Sequence, residues 1–89
     1  MRKLAELLQL LQVEMKDIWQ ELRDTWSIND IEDFANRLKE LGTEYGYDPL
    51  TGWARDLASQ AAIYDVEQLP ETMEKFPKII KELAVLLAA

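Results

Sequence analysis

The side chains of this chain best suited to chemistry are carboxylates, because its 89 residues include no histidine and no cysteine. Glu40 and Glu44 are one helical turn apart and Glu32 is next to Asp33, spacings that serve acid–base hydrolysis or hold a hard cation when both groups are buried together. No D-x-D-x-D-G loop and no E-x-x-H pair accompanies them. Without a thiolate or an imidazole, the usual nucleophile, proton shuttle and metal ligand are missing. Both carboxylate pairs fall on outer helix faces, so a solvated acidic surface is expected. Catalysis, a metal, a cofactor and a small-molecule substrate are not. Trp19, Trp26, Trp53, Tyr45 and Tyr64 fall mostly on apolar stripes, where large rings supply burial rather than a binding cage. Tyr47 lies in a turn, and no stripe explains it.

Seventeen acidic against ten basic residues leave a formal charge of −7. Such a field repels nucleic-acid backbones and anionic membrane surfaces alike, which excludes nucleic acid as the expected partner. The apolar run Leu83–Ala89 is too short to span a bilayer, and no basic segment with a cleavable apolar stretch after it opens the chain. A cytoplasmic setting is the expectation. Met1 heads a strongly periodic segment with no capping residue before it, which suggests a piece of a longer protein. A chain of this size hides only about 60% of the surface its unfolded form exposes, enough for one core.

The elements that must carry these groups are helices. Leu4, Leu8, Leu11, Met15, Ile18 and Leu22 are spaced in steps of four and three, widened by Leu7, Trp19 and Trp26, and predict a helix over about 2–25. Asn29 with Glu32 resembles a capping box opening a second helix over 30–45, whose stripe is Ile31, Phe34, Ala35, Leu38, Leu41 and Tyr45 and whose stop is Gly46. Asp48 as N-cap with Pro49 after it opens a third over 49–63, carrying Leu50, Trp53, Ala54, Leu57, Ala61 and Tyr64. Asp65 then caps a fourth over 66–87, in which Val66, Leu69, Met73, Phe76, Ile80, Leu83 and Leu87 hold one register across Pro70 and Pro77. That helix is expected to be kinked, a split at Phe76–Pro77 being the competing reading. Four amphipathic helices with short connections imply an all-α, antiparallel up-down-up-down four-helix bundle in a single domain spanning 1–89.

Ala35-Asn36-Arg37-Leu38-Lys39-Glu40, with Gly46 and Leu50 after it, resembles the signature of histidine-phosphotransfer (HPt) domains, in which alanine precedes the phospho-accepting histidine, with a leucine, a lysine and a glycine after it. Leu50, Ala54 and Leu57 fit the next helix of that family, and the whole chain is similar to HPt-like C-terminal segments of bacterial hybrid sensor histidine kinases. Asn36 takes the histidine place and Glu40 the glycine place. The resemblance implies a phosphotransfer site at Asn36, Lys39 and Glu40 and, as partners, a receiver or kinase domain of the same signalling system.

Helical geometry, at about 100° per residue, sets Asn36 opposite the apolar stripe, on an outer face with Glu32, Lys39, Glu40 and Thr43. An amide nitrogen has its lone pair delocalised into the carbonyl, so Asn36 makes hydrogen bonds and accepts no phosphoryl group. Glu40 would crowd and repel an acidic receiver pocket. Lys39 matches the family lysine, but exposed lysines beside acidic residues are ordinary on helix surfaces, and a solvated charge is the reading its surroundings favour. On the first helix Leu10 and Val13 lie away from the stripe and are candidates for a face that a partner or a second copy covers. The expected function is a non-catalytic, HPt-like protein-interaction module unable to carry phosphate on histidine. The alternative is a purely structural or dimerising helical bundle, natural or designed, with no signalling partner.

Overall fold

The computed structural model describes the backbone of residues 2–88 and the side chains of residues 4–88. The expectation drawn from Met1 lies outside the described residues. Described are α1 (Arg2–Leu10), a π-helical turn (Leu11–Met15), α2 (Lys16–Thr25), α3 (Ile28–Tyr45), α4 (Asp48–Ala62), α5 (Gln68–Glu74) and α6 (Phe76–Ala88), with no strand among them. The all-α class is as expected.

α1, the π turn and α2 form one rod, since Leu10, Met15 and Lys16 all keep right-handed helical backbone angles. Its buried row is Leu7, Leu11, Met15, Trp19 and Leu22, with Leu4 and Leu8 only partly covered and Ile18 exposed. The sequence-based stripe therefore shifts by one residue at Ile18. The wider π turn, closing i→i+5 instead of i→i+4, accommodates the steps of four from Leu11 through Met15 to Trp19. Trp26, expected in the core, is instead an exposed left-handed C-cap, φ 51°, whose N–H donates to the Leu22 carbonyl at 2.8 Å.

α3 starts two residues before the expected position. Ser27 is its N-cap without a side-chain bond, and the Ser27 carbonyl accepts the Ile31 N–H at 2.9 Å. Asn29 thus lies inside the first turn and the Asn29–Glu32 capping box does not form. The other end behaves as glycine dictates: Gly46 adopts φ 68°, its N–H donates to Thr43, and the Tyr47 N–H donates to Gly42 at 2.8 Å, a Schellman closure. Tyr47, not Asp48, is then the N-cap of α4, and its carbonyl accepts the N–H groups of Leu50 and Thr51. Asp48 and Pro49 occupy the first turn, where a negative charge favours the helix dipole and a missing N–H costs nothing.

α3 and α4 share the most extensive interface of the fold. Ile31, Phe34, Ala35, Leu38 and Leu41 join Leu50, Trp53, Ala54, Leu57 and Ala61 as parts of one core. The backbones approach closely at Gly42, where an added Cβ would collide with the Thr51 side chain and lie 2.8 Å from its backbone nitrogen.

The last expected helix is broken. Lys75 separates α5 from α6, close to the competing split at Phe76–Pro77. Pro70 sits in the first turn of α5, so it breaks no bond. Pro77 has no N–H for the Met73 carbonyl one turn earlier, and the Trp19 indole supplies it, donating from Nε1 at 2.8 Å. The Thr72 carbonyl takes the Lys75 N–H at 3.1 Å and the Trp53 Nε1–H at 2.8 Å. Phe76 lies among these rings, its centroid 5.6 Å from Trp19, 5.6 Å from Phe34 and 5.4 Å from Trp53. Between α4 and α5, Tyr64 (φ 56°) and Val66, both expected on stripes, are 66% and 68% exposed. Asp65 does cap the start of α5, its Oδ1 accepting the Gln68 N–H at 3.2 Å.

Substitutions at two helical glycines are expected to act with opposite signs. Gly42→Ala forces the α3–α4 backbones apart and is expected to lower stability by about 1–3 kcal/mol. Gly52→Ala, where an added Cβ meets nothing within 4 Å, is expected to raise it by up to about 1 kcal/mol through helix propensity. Urea unfolding monitored by circular dichroism measures both. Trp19→Phe keeps a ring but strands the Met73 carbonyl, with an expected loss of about 1–3 kcal/mol; unchanged stability in the same assay would show that the indole donor is dispensable.

Candidate functional site

Asn36 stands on α3 between Ala35, which is fully buried, and exposed Arg37. Because Ile31, Phe34, Ala35, Leu38 and Leu41 are all drawn into the core, the helix cannot rotate without exposing them, and Asn36 is held in solvent. Glu40 and Thr43 sit on the same stretch of α3: Thr43 is exposed, Glu40 is exposed, and Glu32 and Lys39 are partly buried. The Thr43 hydroxyl is turned back on its own helix, donating to the Lys39 carbonyl at 2.9 Å. Among the described residues the one ion pair is Arg23–Glu74 at 2.9 Å, so Lys39 is not tied to a neighbouring carboxylate. The face offers an amide, a cation and several anions. It holds no imidazole, and the Asn36 amide, its nitrogen lone pair delocalised into the carbonyl, accepts no phosphoryl group.

Beside this face, α2 and α3 form a groove of about 330 Å³. Met15, Ile18, Leu22 and Phe34 supply apolar contact there, and Asp30, Asp33 and Arg37 rim it on the α3 side. Asp33 is one turn before Asn36, so the groove adjoins the polar face. Ile18, which the stripe placed inside, is exposed here. No group of three or more acidic side chains is placed to hold a metal ion among the described residues.

The second candidate surface divides. Val13 is 56% exposed, whereas Leu10 is partly buried and packs against the core. Both line a groove of about 350 Å³ with Glu6, Gln9, Glu14 and Tyr45 at the end of α3. Leu7, which widens the stripe of the first helix, is fully buried. The structure does not bring Leu10 and Val13 into one site with Asn36, Lys39 and Glu40.

Tyr47 finds its explanation in the turn between α3 and α4. Its side chain is buried in the core, and its carbonyl starts α4. Burial, and secondarily the Glu82 carboxylate of α6, raise its hydroxyl above the ordinary value of 10.0. Sequence reasoning passes over Lys16 and Lys81, which lie on α2 and α6 beside Trp19 and Phe76. The available signal is the i, i+3 series Lys75, Lys78, Lys81 in an otherwise acidic chain.

No protein family, curated protein or solved structure matches this chain. No described helix is long and apolar enough to cross a membrane.

The raised hydroxyl has a measurable consequence. Below pH about 10 the Tyr47 proton is retained in both folded and unfolded chains, and its contribution is complete. As pH climbs past that value the unfolded chain ionises first, so stability falls until the folded hydroxyl also ionises. Tyr47→Phe should flatten this alkaline decline in the urea midpoint relative to the unsubstituted protein. An identical decline in both would place the alkaline sensitivity elsewhere.

Proposed function

We propose that the chain is a non-catalytic, HPt-like protein-interaction module of a two-component signalling kinase, one that binds a receiver or kinase domain and carries no phosphate on histidine. The observation that carries the reading is the position of Asn36: it projects into solvent from a helix locked by its buried stripe, at the place where the HPt signature has its histidine. An imidazole at that position would be reachable by a docked receiver; an amide there is chemically inert toward phosphoryl transfer. The adjoining groove, with an apolar floor and a charged rim, has the anatomy of a protein-docking surface. The proposal includes an antiparallel up-down-up-down path, supported by connections as short as Trp26–Ser27 and Gly46–Tyr47. A bacterial, cytoplasmic setting accompanies it.

A second reading is self-association through α1 and the π turn, favoured by the exposure of Val13 beside Leu10 and Tyr45. Sedimentation of the protein with Val13→Glu tests it; a monomer at all concentrations before substitution removes it.

Titration of phosphorylated and unphosphorylated receiver domains against the purified protein tests the leading reading. Saturable binding is expected, weakened at least about fivefold by substitutions at Asn36 or Glu40. Asn36→His combined with Glu40→Gly is expected to yield acid-labile phosphate on incubation with a phosphorylated receiver. Indifference to every receiver tried, together with no phosphate on the double variant, would leave only a structural bundle.

A further inference from the structure

We propose that the groove between α2 and α6 is the docking site for an acidic amphipathic helix of a partner protein. The groove encloses about 350 Å³, with Trp19 on the α2 side and Pro77, Ile80 and Ala84 on the α6 side as its apolar floor. Lys16 on α2 and Lys81 on α6 stand over that floor from its two walls. Seventeen of the residues in this chain are acidic, yet none of them lines the groove. No carboxylate among the described residues forms an ion pair with either lysine. The basic, apolar character continues along α6, where Lys78, Lys81 and the 61%-exposed Val85 border an adjoining depression in which Glu82 is the one acid.

Charge and shape together select the occupant. Two ammonium groups flanking an apolar trough complement a helix whose apolar row enters the trough while carboxylates on both shoulders meet the lysines. A second copy of the chain fits less well. Its carboxylates are abundant, but the main apolar rows of its helices are buried in its core, and Val13, Ile18, Val85 and Leu86 are the large apolar residues exposed on its described helices. It would bring the charge with scattered apolar contacts and no continuous row. The groove contains no residue of α3 and shares no lining residue with the groove beside Asn36, so the two are separate surfaces.

The test uses the whole chain and a fluorescein-labelled synthetic helix of about three heptads with leucine at the a and d positions and glutamate at e and g, alongside the same peptide with lysine replacing glutamate. Fluorescence anisotropy is expected to show saturable binding of the glutamate peptide that weakens with salt, and at least about tenfold weaker binding of the lysine peptide. Lys16→Glu with Lys81→Glu should reverse that preference while the helical circular dichroism and urea midpoint confirm that the fold is intact. Ala84→Trp should block both peptides by filling the floor. Equal binding of the two peptides, no binding of either, or no response to the lysine substitutions would overturn the proposal. So would sedimentation showing a dimer that the Lys16→Glu and Lys81→Glu pair dissolves, because the groove would then belong to a second copy.

Discussion

A single hydrogen bond, from the Trp19 indole to the Met73 carbonyl, settles a problem the chain creates for itself at Pro77. Proline leaves that carbonyl without its helical donor in the interior of the protein, where an unpaired acceptor costs about 1–3 kcal/mol. The indole of Trp19 reaches across from α2 to supply it, and Trp53 from α4 adds a donor to the Thr72 carbonyl. The break between α5 and α6 is thereby bonded to two other helices. Phe76, set among Trp19, Phe34 and Trp53, fills the space that the break opens. The arrangement ties a backbone defect to the aromatic cluster at the centre of the core. It also fixes where α6 lies against α2, and hence the shape of the groove between them.

The surface is sorted by charge as well as by exposure. α3 presents Asn36 among Glu32, Asp33, Lys39 and Glu40, whereas α6 presents Lys78 and Lys81 with Glu82 beside them. Against a net charge of −7, the lysines of α6 make a local exception that a partner would sense within a Debye length of roughly 8–10 Å. The surface ion pair Arg23–Glu74, with Arg23 also over the Trp19 ring at 4.8 Å, is too exposed to add much stability. Its position next to Trp19 instead covers the solvent side of that ring.

Helix existence was legible from spacing because each stripe had to be apolar to be buried. Ile31 through Leu41 and Leu50 through Ala61 appear in the core as the three-four pattern required. The outward position of Asn36 came from the same geometry, since a residue opposite a fully buried row has nowhere else to point. Helix ends were less legible. Ser27 and Tyr47 begin helices without contributing a side-chain bond, so the polar residues that favour caps, Asn29 and Asp48, drew the boundary inward by one or two positions. Ile18, Trp26, Tyr64 and Val66 were read as buried from their spacing on the stripes, which assumes an unbroken α-helix and does not register the π turn, the end of α2 or the turn between α4 and α5.

The amino-acid order alone therefore determined an all-helical chain, the faces of α3 and α4, the glycine stop at Gly46 and the inert amide at position 36, because each depends on residues within a turn or two of one another. Tertiary structure decided the rest. The π turn that carries the buried row from Leu11 to Trp19, the contact that forbids a side chain at Gly42, and the pairing of Trp19 with Met73 each answer to a neighbouring helix. The placing of Lys16 and Lys81 along one groove is of the same kind. Local periodicity is blind to such encounters, because the free energy that selects them comes from packing and from satisfying buried polar atoms across helices.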